Sequence, residues 1–359
     1  KKQIPYGKAT QGIDALEKKF HWSSRHSKYW KSFCALKAGL WQDNYFLDFR
    51  EMIATNLDLQ SLILSIHYKR LKYGWSLDEL EELTGSRSGK IYSNQPSFCT
   101  LVASLFYENG DFDKTLELLT RALNLNPSAS DGYLGLSSFA LDHHLTLSGV
   151  SSKITEKCQT LFAKFQMFST FFNNELSDKK IVILGNADSG KGRSDGKFID
   201  SHDHVFRFNN FPSEKRYVKD YGQKITVWVR TPSIHEVPLR QEIRPQTIIL
   251  SSPLMLHTKN GNWKWMVEYC DRDEQLVLFD ASVFRELVQK LNAPPSAGIL
   301  AACNISELLH DLSYIRFRGF DFNTGRQSHY FDNQKPASRH NWDIEKLIFS
   351  KITERSLNI

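Results

Sequence analysis

The chain has 359 residues, 24% of them charged and 41% hydrophobic, and carries a net charge of +6. That length allows two ordinary domains, each with its own core. No apolar run approaches the roughly 18 residues that span a bilayer, and no lysine- or arginine-rich run points to nucleic acid.

The modest positive charge suits an anionic substrate or a membrane-surface location. No signal peptide is visible, and because residue 1 is Lys rather than Met, the sequence leaves open whether a preceding segment was removed. Cys34, Cys99, Cys158, Cys270 and Cys303 are scattered, odd in number and without a C-x-x-C pair. That usage predicts a reducing compartment, small buried thiols and no zinc site.

Residues 1–172 read as an all-α domain. Apolar residues recur at three- and four-residue spacing through Leu57–Leu71 and Leu77–Leu83. Between Pro96 and His144 the rhythm becomes helix, turn, helix: Phe98–Tyr107, Gly110-Asp111, Phe112–Leu125, Asn126-Pro127, Tyr133–Leu141. Gly110, Ala122 and Pro127 stand where a tetratricopeptide unit places its turn, its close helix crossing and its terminator, so residues 96–144 resemble one such repeat. An irregular helical bundle is the alternative. Asp111-Phe112-Asp113 has a D-x-D spacing, but its place at a helix start assigns it to N-capping.

Residues Lys164–Asp178 mark the boundary, and 173–359 form the second domain. Short apolar runs at Ile181–Leu184, Val205–Asn209, Ile225–Val229, Thr247–Leu250, Leu276–Phe279 and Tyr314–Phe317 alternate with helical segments such as Ile299–His310. This predicts an α/β fold with a Rossmann-like, mostly parallel sheet, whose ligands bind at the carboxyl ends of the strands.

The first of those ends carries Gly185-Asn186-Ala187-Asp188-Ser189-Gly190, small residues with open amides where phosphate commonly binds. Gly185–Lys191 also fits G-x-x-x-x-G-K. A P-loop then needs Ser or Thr for magnesium, and Gly192 supplies no hydroxyl. Further motifs follow: Pro294-Pro295-Ser296-Ala297-Gly298 opening a helix, Gly319-Phe320-Asp321 after a strand, His329-Tyr330-Phe331-Asp332, and His340 five residues before Glu345. Asp271-Arg272-Asp273 is a second D-x-D; its hydrophilic surroundings assign it to a charged turn rather than a metal site.

In order, these motifs resemble glycosyltransferase family 29, the sialyltransferases. Gly185-Asn186 with Asp200–Asn209 is similar to the family's motif L, Pro294–Gly298 with Arg318-Gly319-Phe320 to motif S, His329–Asp332 to motif III, and His340–Glu345 to the very small motif. The resemblance covers residues 180–345 and implies a Rossmann-like catalytic domain. It also implies inverting, metal-independent transfer of sialic acid from a CMP donor to a glycan hydroxyl.

By the same resemblance, Asn186 and Asn209 hold the CMP phosphate and ribose. Ser296, Ala297 and Gly298 contact the nucleotide through turn amides, and Gly319 lets the base approach the backbone. His340 is the expected base and His329 the group that meets the charge developing on departing CMP, while the five-residue spacing makes Glu345 a structural or orienting partner. No metal or other cofactor is expected.

Two departures matter. The family's cysteine pair is replaced at Lys180-Ile181 and Asp311-Leu312, which points to a bacterial, cytoplasmic enzyme of surface-polysaccharide synthesis. Ala297 stands where Ser or Thr is common, removing one hydrogen bond to the donor.

Lys191, Arg193 and Arg207 read as solvated or structural charges, and His202 and His204 beside Asp203 as strand-edge packing. Kdo, another CMP-activated ulosonic acid, is the nearest alternative donor sugar. A CMP-sugar-binding scaffold without catalysis is the alternative of another class. Expected partners are a CMP-sugar donor and a glycan acceptor, with the helical half as a protein-docking element and peripheral association with a membrane surface. Thr231–Arg244 and Leu254–Trp265 are the loops expected to select the acceptor, with Trp263 and Trp265 available to stack on a sugar.

Overall fold

Four-residue runs of apolar, mostly β-branched side chains can bury both faces only in the middle of a layered sheet. In the computed structural model they do so. It describes residues 24–38, 46, 49–54, 58–130, 133–145, 157, 160–231, 243–251, 269, 272–309, 312–322, 329–331, 337 and 339–355. The strands are β1 (Phe165–Met167), β2 (Ile181–Leu184), β3 (His204–Phe208), β4 (Val227–Arg230), β5 (Thr247–Leu250), β6 (Gln275–Leu278) and β7 (Ile315–Arg318). They form one sheet in the order β1-β6-β5-β4-β3-β2-β7, with every neighbouring pair parallel.

Among the described residues eight α-helices precede the sheet: α1 (Ser24–Ala38), α2 (Phe49–Ala54), α3 (Leu59–Lys72), α4 (Leu77–Gly85), α5 (Arg87–Tyr92), α6 (Pro96–Glu108), α7 (Phe112–Leu125) and α8 (Leu134–Asp142). Six more accompany it: α9 (Phe168–Phe171), α10 (Gly196–Asp200), α11 (Lys215–Tyr221), α12 (Ala281–Leu291), α13 (Ala297–Leu308) and α14 (Trp342–Arg355). No helix among the described residues is long and apolar enough to cross a membrane.

The period of two along each strand sorts side chains to opposite faces. Ile181, Ile183, Phe206, Phe208, Val227, Val229, Ile249 and Val277 pack with buried residues of α12 and α13, and with Ile352 of α14. On the other face, Val182, Leu184 and Val205 meet Ile199, Tyr221 and Tyr330, while Trp228, Ile248, Leu250 and Leu276 form a separate cluster. Each large apolar side chain buried in this way contributes about 1.5–3 kcal/mol. A charged replacement at Ile183 would therefore break the central layer.

The sheet begins earlier than the sequence rhythm predicts. Phe165–Met167 pairs in parallel with Leu276–Leu278, and Phe168, Phe171 and Phe172 enter the sheet's core. A three-residue strand is too short to show alternation, so this edge was not legible. The sheet unit thus includes residues 165–172, ahead of the expected boundary at 173.

In the helical half, α6 is buried from Phe98 through Phe106, and α7 lies against it. Gly110 makes the turn between them with φ +81, a left-handed conformation that glycine adopts without a Cβ penalty. The Asp111 side chain accepts from the Lys114 amide at 2.9 Å, so this D-x-D is the helix cap expected of it. Ala122 of α7 is fully buried.

The two halves meet through α3 and α12. Arg285 Nη1 donates to the Glu108 carbonyl at 2.6 Å across this junction. Arg70 and Glu108 form a buried ion pair just behind it.

Candidate functional site

From β2 to β6 the chain adds strands in one direction, then returns to place β7 on the other side of β2. Such a reversal opens a crevice at the carboxyl ends of the flanking strands, the usual ligand position in a doubly wound sheet. Gly185 follows β2 there, and Gly319 follows β7; Leu184 and Arg318, the residues before them, are in register.

The two glycine turns touch. Gly185 N donates to Arg318 O at 2.8 Å, and Ala187 N donates to Gly319 O at 3.0 Å. Gly319 has φ +70, and a Cβ on it would stand 2.5 Å from the Gly185 carbonyl oxygen. A Cβ on Gly185 would strike Gly319 O in turn. Neither site tolerates a side chain, which gives both glycines a structural reason independent of any ligand.

Asn186 and Asn209 reach the same crevice from β2 and β3. Asn186 Nδ2 donates to Phe208 O at 3.0 Å, while Asn209 Oδ1 accepts from Thr231 N at 2.9 Å. The other amide atom of each remains available to a ligand. Asn209 adopts φ +46, a conformation that Asn tolerates better than most residues. Motif III is tied to this edge because Tyr330 N donates to Asn186 O at 2.9 Å, and the Tyr330 ring stacks on Tyr221 at 3.6 Å. His329 precedes it, its ring stacked on Phe331 at 5.0 Å.

The helix opened by motif S is joined to the very small motif. Ser296 caps α13, its hydroxyl accepting from Ile299 N at 3.3 Å. Glu345, fully buried in the first turn of α14, accepts from Ser296 N at 2.8 Å and from Ser296 Oγ at 2.6 Å. The Ser296 amide is thereby occupied, and Ala297 and Gly298 present the first-turn amides that can face an anion. Gly298 is needed for packing as well, since a Cβ there would lie 2.7 Å from Phe320 Cε1.

His340 is held by the same turn. Its Nδ1 lies 2.8 Å from Pro294 O, a pure acceptor, so Nδ1 carries the proton and Nε2 keeps its lone pair. Asn341 Nδ2 donates to Leu291 O at 2.9 Å, fixing the segment from the next residue. Burial, reinforced by the neighbouring Arg339 charge and only partly opposed by the Pro294 hydrogen bond, pushes His340 down to about 4. Burial likewise pushes Glu345 up to about 7, against the two Ser296 hydrogen bonds. Although His340 Nδ1 and Glu345 Oε1 stand 4.0 Å apart, each is driven toward its neutral form, so they are not a charged pair near neutrality. His340 is thus a markedly weaker base than an ordinary histidine.

Other charged residues have structural partners. Arg207 is buried, with Nε donating to Lys224 O at 2.9 Å and Nη2 to Tyr221 O at 2.7 Å. His202 bonds Phe198 O through Nδ1 at 2.9 Å, and Asp203 accepts from Lys180 N at 2.9 Å. Lys191 and Arg193 are exposed on a turn whose Gly192 and Ser194 amides are pinned by Asp220. Arg272 pairs with Glu274, while Asp271 lies outside the described residues. Among the described residues no group of three His, Cys, Asp or Glu side chains could hold a metal ion. Cys34, Cys99 and Cys303 are free and buried; Cys158 and Cys270 lie outside the described residues. So do Asp332, Trp263, Trp265 and most of both expected acceptor loops.

A pocket of about 380 Å³ borders the His340 segment, lined by Asn292, Ala293, His340, Asn341, Trp342, Asp343 and, from α3, Lys72. Sequence reasoning missed Lys72, because a lysine in a helix's last turn carries no signal of its own. The larger groove, about 770 Å³, lies by the opposite ends of β5 and β6, bordered by Thr247 and Gln275, and touches none of the expected site residues.

A search of curated protein sequences finds no match. Among solved structures, a mammalian sialyltransferase in complex with Gal-beta-1-3GalNAc-ortho-nitrophenol is 17% identical, with a TM-score of 0.42 over 62% of this chain and 83% of that one. A second structure of a mammalian sialyltransferase gives the same identity and TM-score over 62% and 82%. The profile of glycosyltransferase family 29 (sialyltransferase) matches residues 136–357. More than half of the chain is included, and all four motifs fall inside the match: the chain belongs to glycosyltransferase family 29, the sialyltransferases.

Proposed function

We propose that the protein transfers a sialic acid from CMP to a glycan hydroxyl by a single, inverting displacement without a metal ion. The observation that carries this reading is His340. Its Nδ1 proton is committed to Pro294 O, so Nε2 is an acceptor held beside the N-terminus of α13. As the acceptor hydroxyl gives its proton to Nε2, the hydroxyl oxygen bonds to the anomeric carbon of the donor. The bond from that carbon to the CMP phosphate oxygen breaks, its electron pair leaving with phosphate. Attack from the face opposite the leaving group inverts the centre.

The phosphate is received by Ala297 and Gly298 amides and the positive end of α13, with His329 donating to the oxygen on which charge grows. Asn186 and Asn209 hold the ribose and phosphate, and Gly319 the base. Glu345 keeps the His340 segment and α13 in one unit through Ser296.

The test is transfer from CMP-Neu5Ac and from CMP-Kdo to an immobilised glycan panel in excess EDTA, with CMP release followed in parallel. Transfer from CMP-Neu5Ac supports the reading. Transfer from CMP-Kdo alone changes the sugar but not the machinery. CMP binding with neither release nor transfer would make the chain a scaffold, and a strict manganese requirement would overturn the mechanism.

A further inference from the structure

The pocket beside His340 is built by both halves of the chain. Asn292 and Ala293 come from the turn before α13, and His340, Asn341, Trp342 and Asp343 from the start of α14. Lys72 comes from the last turn of α3 in the helical half. Lys72 is only 7% exposed, its Nζ donating to Tyr68 Oη at 2.8 Å and lying 4.9 Å from the Tyr73 ring centroid. Its direction is therefore fixed by the helical half. Gly74, just beyond α3, faces Gln289 of α12, and the Arg285 bond to Glu108 O closes the same junction.

The lining has the composition of a carbohydrate site. Lys72 brings a positive charge to the rim, Asp343 carboxylate acceptors, and Asn292 both donors and an acceptor. Trp342 offers an indole face, its Nε1 already donating to Ala337 O at 2.9 Å and its ring 5.1 Å from that of His340. A sugar ring pairs apolar C–H faces with hydroxyls that both donate and accept, which matches this set. The volume, about 380 Å³, accommodates one hexose ring.

We propose that this pocket binds the acceptor sugar, and that Lys72 makes the helical half a working part of the acceptor subsite. The assignment rests on the catalytic reading of His340, because the hydroxyl to be glycosylated must lie within reach of that ring. It gives the helical half a role in choosing the acceptor, in addition to supporting the sheet.

The experiment compares wild type, Lys72→Met, Lys72→Arg and Asn292→Gly, using CMP-Neu5Ac as donor and lactose plus a glycan panel as acceptors. Asn292 has φ +49, so glycine removes its amide without backbone strain. Loss of a hydrogen bond to a charged group corresponds to roughly ten- to a hundredfold in affinity. Lys72→Met should raise the acceptor KM by about tenfold or more while CMP affinity, read by calorimetry, stays within about twofold. Lys72→Arg should recover part of the loss, and Asn292→Gly should raise the same KM. Should Lys72→Met fail to fold, Asn292→Gly and Lys72→Arg carry the test. An acceptor KM unchanged in the folded variants, with wild type active, removes the acceptor assignment and leaves the catalytic reading standing. A wild-type chain that neither releases CMP nor transfers sugar overturns both.

Discussion

Glu345 and Ser296, 49 positions apart, are joined by two hydrogen bonds of 2.8 and 2.6 Å, the first to the Ser296 amide and the second to its hydroxyl. The bridge binds the cap of α13 to the first turn of α14. Glu345→Ala would leave the half-buried Ser296 amide without its acceptor and its hydroxyl with only the Ile299 amide as partner, at a cost on the order of 1–3 kcal/mol in all. Thermal unfolding should show the loss, and transfer should fall together with CMP affinity. A Glu345→Ala protein with wild-type melting and wild-type CMP affinity would mean that the bridge positions nothing.

Stability should depend on pH through the same pair. Glu345 is raised to about 7, so its contribution is fully present below the ordinary carboxylate range and is lost as pH rises through about 7. His340 is depressed to about 4, so its contribution is present above 6.5 and is lost as pH falls through about 4. Glu345→Gln should flatten the alkaline decline of Tm between roughly pH 5 and 8 and leave the acid side in place. An unchanged alkaline slope would place the titrating group elsewhere.

The two histidines should fail differently. His340→Ala should lower transfer by roughly a hundredfold or more with CMP affinity nearly intact, as expected for a lost proton acceptor. His329→Ala should lower turnover and also weaken CMP binding. Because His340 stays neutral down to about pH 4 in the free protein, the acid limb of kcat/KM that it governs should lie well below the ordinary histidine range. Steady-state rates from pH 4 to 9 for wild type and both variants decide this. An acid limb centred above 6.5 that survives His340→Ala would remove His340 as the base.

Asn209→Gly keeps the left-handed backbone and deletes the side chain, so it separates ligand binding from strain. A tenfold or greater loss of CMP affinity by calorimetry is expected, on the order of 1.5–2 kcal/mol for a hydrogen bond to a charged group. Gly319→Ala should act otherwise, through folding: its φ of +70 and the 2.5 Å approach of a Cβ to Gly185 O cost on the order of 2 kcal/mol or more. Denaturant midpoints should fall further for Gly319→Ala than for Asn209→Gly, which loses the Thr231 hydrogen bond but adds no backbone strain.

A fragment beginning near residue 175 should be insoluble, since it lacks β1 and three core phenylalanines, Phe168, Phe171 and Phe172. One beginning near residue 160 restores them and should bind CMP if it folds, although α12 then exposes the surface that α3 covers. Solubility and circular dichroism of the two fragments, made side by side, test the boundary.

Five of the seven strands were legible because their side chains are apolar on both faces, or nearly so, as at β2, β4 and β5. β7 was found despite a more exposed pattern, because Gly319 closes it. β1 escaped because three residues cannot establish a period. At the site, the order of the four motifs marked Asn186, Asn209, His329 and His340. The contacts that build the His340 end were invisible: the Glu345 bridge to Ser296, the Pro294 carbonyl on His340 and the entry of Lys72 all link residues at least 46 positions apart. Such contacts are set by tertiary packing and leave no local pattern. The depressed basicity of His340 was hidden for the same reason, since burial is a property of the fold.

The partner that orients His340 is a main-chain carbonyl belonging to a proline. No point substitution can delete that oxygen, and a replacement at residue 294 would still present it. The tautomer of the ring is consequently insulated from drift in the surrounding side chains. Substitutions in the side chains around the ring should therefore leave the proton on Nδ1 where the backbone puts it.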